Sequence, residues 1–267
     1  MSQISQAQIR HRAIMKSVAL MHSLMERTDS DNVGGFSRLY DELTASVALP
    51  RGGGQVASSS ESKKWYPVAK GLQPITMAAL SSLRRVFPDA EQLYDQGPSD
   101  LWKALWGSEV ELWPICRTTK FDGDLLLGDC ETFQEALLEF EADMLLAEAY
   151  EIPMDLSRLV VAVALYRLYC YLNHLAPLDL DGAGLYRCVG LCLGNGYIRL
   201  RLKQLGVYED FNSELLKMEQ SRLHRRGAEI DLLATVNTNL EGYLKDPVRS
   251  LTADQRWAAL SGKLDWL

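Results

Sequence analysis

Three carboxylates, Glu135, Glu139 and Asp143, fall one helical turn apart in "TFQEALLEFEADMLL". Carboxylates at that spacing hold metal ions in helical bundles when Glu-x-x-His pairs on partner helices complete the ligand set. The four histidines are His11, His22, His174 and His224, and none follows a glutamate by three residues. A solvated acidic face is the expected reading. "DLDG", Asp179 to Gly182, opens like a calcium loop but puts Gly190 where the twelfth-position glutamate belongs. Cys188 and Cys192 stand four apart with no second pair to complete a zinc site. "RGGGQVASSS" lacks the lysine of a phosphate-binding loop. "GLCLGNG" is not framed by a strand and a helix as a dinucleotide site requires. There is no G-x-S-x-G elbow. No metal, no cofactor and no catalytic residue is expected.

One segment breaks the overall charge pattern. "SKKWYPVAKGLQPITMAALSSLRRVFP", Ser62 to Pro88, carries Lys63, Lys64, Lys70, Arg84 and Arg85 and no acidic residue. The chain as a whole has 35 Asp+Glu against 28 Lys+Arg. A local island of this kind points to an anionic partner, DNA or RNA above all, met by phosphate neutralisation. From Trp65 the segment reads W-x-x-V-x-x-G-x-x-P, with Leu80 six residues past Pro74. That spacing resembles the C-terminal part of a phage-repressor-type helix-turn-helix, with Trp65, Gly71, Pro74 and Leu80 in the matching places. The resemblance implies a helix in the major groove and basic residues on phosphates. It covers residues 62–88 alone. Pro67 interrupts the implied recognition helix, and "PRGGGQVASSS" stands where a compact first helix belongs. The nucleic-acid-binding set expected is Lys63, Lys64, Trp65, Lys70, Arg84 and Arg85.

The totals set limits on that reading. A net charge of −7 disfavours any general affinity for nucleic acid or anionic membrane. Hydrophobic content of 47% suits a chain with a substantial core. The most apolar run, "LVVAVALYRLYCYL", is too short to span a bilayer and contains Arg167. No secretory signal is visible at the N-terminus. Five scattered cysteines suit free thiols in a cytoplasmic protein.

The elements that must position these residues are helices. Ile14, Val18, Met21 and Met25 give one apolar face, ended by Gly34 and Gly35. Phe36, Leu39, Tyr40, Leu43 and Val47 give a second. Pro74 opens a helix with Leu80, Leu83 and Phe87 inward. Ser99 to Gly107 holds a short one. Ser108 to Gly128 is the least helical stretch and is expected to hold a strand or hairpin. Helices follow over Thr132–Tyr150, Met154–Leu175, about 185–193 and the run "YIRLRLKQLG". Asn212 and Ser213 are expected to cap a long helix to about Leu244. Thr252 and Gln255 suggest a capping box for a last one. Leu216, Leu223, Ile230, Asn237 and Leu244 recur every seventh residue, so residues 213–244 are the candidate for a homodimer seam. A second basic cluster, Arg199, Arg201, Lys203, Arg222, Arg225 and Arg226, is expected to be solvated surface.

The fold class is therefore all-α, a multi-helix globular bundle with at most a minor β element. A helical pair over 1–49, a Gly/Ser loop over 50–64 and a main helical domain over 65–267 are the expected parts, or one domain throughout. The function expected is non-enzymatic: a regulator or accessory factor contacting nucleic acid. The alternative is a protein–protein interaction module, such as an adaptor, inhibitor or immunity-type protein. Trp102, Trp106 and Trp113 are its candidate anchors.

Overall fold

The computed structural model describes residues 5–47, 58–121, 124–125, 127, 132–175 and 183–225. It is an all-α protein with one two-residue β-ladder among the described residues. The chain divides into two compact units. One comprises residues 1–98 with 202–210; the other comprises residues 99–201 and the chain from Phe211.

The first unit is built on α1, Gln6–Arg27, which starts at a capping box between Ser5 and Gln8. It ends at Asp29, whose φ of 49° lets the Ser30 N–H return to the Met25 carbonyl at 2.8 Å. The expected terminators, Gly34 and Gly35, sit instead in the first turn of α2, Val33–Val47. Asn32 explains this, because its side chain accepts the Gly35 N–H at 2.9 Å and starts the helix early. α3 is a single turn, Tyr66–Ala69; α4 runs Met77–Val86 and α5 runs Ala90–Gln96. Thr76 caps α4, so Pro74 precedes the helix rather than opening it.

Leu24, Phe36, Trp65 and Leu83 are fully buried in one cluster. Trp65 meets Tyr40 edge-on at 5.2 Å and Phe36 at 6.3 Å. Asp41 of α2 accepts backbone N–H groups from Ser59 and Ser60, and hydroxyls from Ser58 and Ser59. These contacts span the loop expected over 50–64. Asp41 and Trp65 join α2 to the residues after that loop, and the unit continues to residue 98.

The second unit has α6 (Leu101–Trp106), α7 (Glu109–Thr118), β1 (Lys120–Phe121), β2 (Asp124–Leu125), α8 (Phe133–Ala149), α9 (Leu156–Leu175) and α10 (Ala183–Gly194). α11 (Gly196–Gln204) and α12 (Tyr208–Arg225) follow. Every residue of α9 from Leu159 to Tyr166 is fully buried, and α6, α7 and α10 pack around it. Its Arg167 donates to the Ala104 and Gly107 carbonyls at 3.0 and 2.8 Å, capping the end of α6. Among the described residues no helix is long and apolar enough to cross a membrane.

Two expectations about this unit are corrected. The stretch from Ser108 is helical first, because a Ser108–Glu111 capping box nucleates α7 and the helix tolerates Pro114. The hairpin is confined to residues 120–125. α12 begins at Tyr208, so Asn212 and Ser213 lie inside it rather than capping it. Its described part buries Phe211, Leu215, Glu219 and Arg222. The heptad positions from Ile230 onward, the last expected helix, Arg226 and "DLDG" lie outside the described residues.

Candidate binding corner at residues 62–88

Two helix ends make the corner. α3 stops at Gly71, whose φ is +69°, with the Gly71 N–H on the Val68 carbonyl at 3.1 Å. The Leu72 N–H reaches back to Pro67 at 2.9 Å. That pair of bonds is a Schellman motif, and it turns the chain toward α4. Gly71 lies over Ile14 and Val18 of α1, where an added Cβ would sit 3.4 Å from Val18.

The six residues expected to act together do not share one fate. Trp65 is 0% exposed. Its ring builds the core beneath the corner and cannot reach a base or a groove, which removes it from the candidate contact set. Lys63, Lys64, Lys70, Arg84 and Arg85 all face solvent. Lys64 lies 4.5 Å above the Trp65 ring. Partial burial lowers its pKa, and the Asp41 charge opposes that shift. Arg84 is held by Glu91 at 2.8 Å in an exposed pair, a contact of small energetic weight. Among the described residues no ion pair involves Lys63, Lys70 or Arg85. Lys63 adopts a φ of 50°, a left-handed conformation that costs about 1 kcal/mol for a non-glycine residue.

The helix-turn-helix resemblance implied a recognition helix ending at Gly71. Four helical residues occupy that place, too few to follow a groove. What the corner does present is apolar. Tyr66 is 50% exposed, Leu72 64% and Met77 68%. Tyr66 and Lys70 stand one turn apart, and the Lys70 N–H bonds the Tyr66 carbonyl at 3.0 Å. On α4, exposed Met77, Ser81, Arg84 and Arg85 follow helical spacing opposite buried Leu80 and Leu83. The sequence held a signal for this: Leu72 and Met77 flank Pro74 outside the inward set that starts at Leu80.

Elsewhere the candidate chemistry resolves into structure. Asp143, itself partly exposed, accepts from Arg158 at 3.0 Å, and the Arg158 side chain is buried at 4% exposure, so that carboxylate satisfies a buried guanidinium. Glu135 closes the Thr132 capping box. Cys188 and Cys192 are buried, and burial pushes both thiols up in pKa. Among the described residues no group of His, Cys, Asp or Glu is arranged to hold a metal ion. Arg222 is not surface at all. It donates to both oxygens of Glu219 at 2.6 and 2.7 Å, and the Tyr166 hydroxyl donates to the same carboxylate. Trp102 stacks on Trp106 at 5.2 Å, and the Trp106 indole donates to Glu214 at 3.3 Å. Trp102 is thereby buried packing rather than an exposed anchor. Arg199 and Lys203 are exposed and Arg201 is half-buried.

Fold and corner define a class of object: an all-α protein with a surface that is both cationic and apolar. A scan against protein-family models and searches of curated proteins and of solved structures found no match.

Proposed function

We propose that the chain is a non-enzymatic binding protein whose docking face is the outer surface of residues 62–88. Its partner is a protein with an acidic, apolar surface. One observation carries this reading: three large apolar side chains, Tyr66, Leu72 and Met77, are half or more exposed amid five cations. Apolar anchors release free energy when covered, and the cations choose among partners and speed the encounter. An adaptor, inhibitor or immunity-type role belongs to this class.

The nucleic-acid reading is kept as second because Tyr66 and Lys70 share a turn, an arrangement that lets an aromatic ring stack a base beside a phosphate contact. With Trp65 buried it rests on Lys63, Lys64, Lys70, Arg84 and Arg85 alone, and it carries no base readout.

Capture from native extract separates the two. The baits are the wild type, Leu72→Asp/Met77→Asp and Lys63→Glu/Lys64→Glu, each with and without nuclease. The protein reading expects a stoichiometric partner that survives nuclease and is lost with either variant. Loss on nuclease treatment, joined to strongly salt-dependent binding of labelled DNA, transfers the corner to nucleic acid. Capture that neither variant changes would remove the corner from the function.

A further inference from the structure

α8 is apolar on two sides. Its inner side, Ala136, Phe140, Met144 and Ala147, is buried, and α10 packs on the helix. On the opposite side Leu138 and Leu146 are exposed, as is Tyr150 at the C-cap. At about 100° per residue those three share an arc of about 120° with Glu135, Glu139 and Ala142. Both glutamates are exposed too. A surface helix ordinarily keeps its outer side polar, so apolar residues aligned there mark a face for covering.

Charge says what covers it. Within α8 stand Glu135, Glu139, Glu141, Asp143 and Glu148, with no Lys or Arg. Residues 62–88 are the converse, five cations and no acid. Their helix α4 carries the outward stripe of Met77, Ser81, Arg84 and Arg85, and each stripe lies within one unit. The stripes also match in spacing. Met77 to Arg84 is seven residues, as is Leu146 to Glu139, about two helical turns or 10.5 Å. Ser81 and Ala142 are small residues at the matching step between, where small side chains let two helices approach closely. Laid antiparallel, α4 puts Met77 on Leu146, Ser81 on Ala142 and Arg84 on Glu139, with Arg85 between Glu139 and Glu135.

We propose that the outer stripe of α8 in one copy of the chain docks on α4 of a second copy, in a weak head-to-tail pairing. This pairing rests on the reading of residues 62–88 as a docking face, and it names an occupant for that face, the chain itself.

Pairing of like faces is disfavoured. Two α8 stripes set glutamate against glutamate, and two corners set cation against cation, so the favourable contact joins unlike faces. Arg84 gives up its exposed contact with Glu91, which costs little. One short helix laid on another buries less than about 1,200 Å², the range of weak, transient encounters.

Sedimentation of the purified full chain from about 1 to about 500 μM reads the pairing with no extract present. The mass is expected to rise above 30.0 kDa with concentration, and to fall back as salt screens the charges. Met77→Asp and Leu146→Asp are each expected to stay monomeric alone. Mixed, they are expected to form a one-to-one pair, because each keeps the face that the other has lost. Arg84→Glu and Glu139→Arg each weaken association about fivefold or more, and the chain carrying both recovers to within about threefold of wild type. Glu135 is left in place because it caps α8. A wild type that remains at 30.0 kDa throughout, or association that neither apolar variant changes, overturns the proposal. So does a mixture that stays monomeric while both variants keep wild-type helical content. Should either variant unfold, the charge swap decides, and failure of the Arg84→Glu/Glu139→Arg chain to recover refutes the pairing. Such failure leaves the corner as a docking face for another protein, which the capture from extract tests by itself.

Discussion

Two sets of cations, one in each unit, have opposite circumstances. In the second unit Arg158 and Arg222 are 3% and 7% exposed, and each is met by a carboxylate, Asp143 and Glu219. Arg167 is spent on helix-end carbonyls. In the first unit Lys63, Lys64, Lys70, Arg84 and Arg85 all face water, above an aromatic cluster that is dry. Residue type does not tell these roles apart; burial and partners do. A buried cation must be satisfied or the site fails, so it serves the fold. An exposed cation costs little to hold and remains available to a partner.

That contrast can be broken at its foundations first. Trp65→Ala empties the centre of the first unit and is expected to cost about 3–5 kcal/mol in chemical denaturation. Arg222→Ala strands Glu219 and the Tyr166 hydroxyl in the second unit, with a cost of about 3–5 kcal/mol by the same measurement. A loss below about 1 kcal/mol at Arg222 would show that the pair is solvated and that the contrast is false. Gly206→Ala forces a side chain into left-handed backbone and toward Val18, which is expected to cost about 1–3 kcal/mol. Gly71→Ala has more room and should cost less. At the corner the expected stability effects are small. Lys63→Glu/Lys64→Glu stays within about 0.5 kcal/mol of wild type while abolishing capture of the partner.

The smallest effect concerns acid. Burial raises the Asp41 pKa, but hydrogen bonds from the Ser59 and Ser58 hydroxyls and the Ser59 and Ser60 amides lower it further, for a net fall. A carboxylate with a depressed folded pKa adds stability above its unfolded value, and that stability is lost as pH drops through the folded value. Because solvent screens this partly exposed carboxylate, Asp41→Asn is therefore expected to flatten the acid limb of the unfolding curve below about pH 4 only slightly, by about 0.3 kcal/mol or less. An unchanged limb would mean that the serine contacts do not persist in solution.

Much of the fold was legible because helical periodicity and capping chemistry agree along the chain. Thr132 with Glu135, and Leu80 with Leu83, fall where spacing places them. The errors arose where a short-range cap outweighed a residue's average preference. Asn32 drew Gly34 and Gly35 into a helix, and Ser108 with Glu111 drew Pro114 into another. At the corner the lysines and arginines were legible as an island of one sign. The burial of Trp65 was not, because it depends on Phe36 and Tyr40 reaching it across the intervening loop. The outer stripe of α8 was half legible. Glu135 and Glu139 read as an acidic face, but the exposure of Leu138, Leu146 and Tyr150 beside them emerges only once the fold fixes which side of α8 is inward.

The central claim is that the outward cations and apolar residues of the corner are covered by a partner. Amine-reactive footprinting with mass-spectrometric readout, on the protein alone and in nuclease-treated native extract, tests it directly. The account predicts that Lys63, Lys64 and Lys70 lose reactivity in the extract while Lys203 and Lys217 do not. Equal reactivity of the corner lysines with and without extract would contradict it.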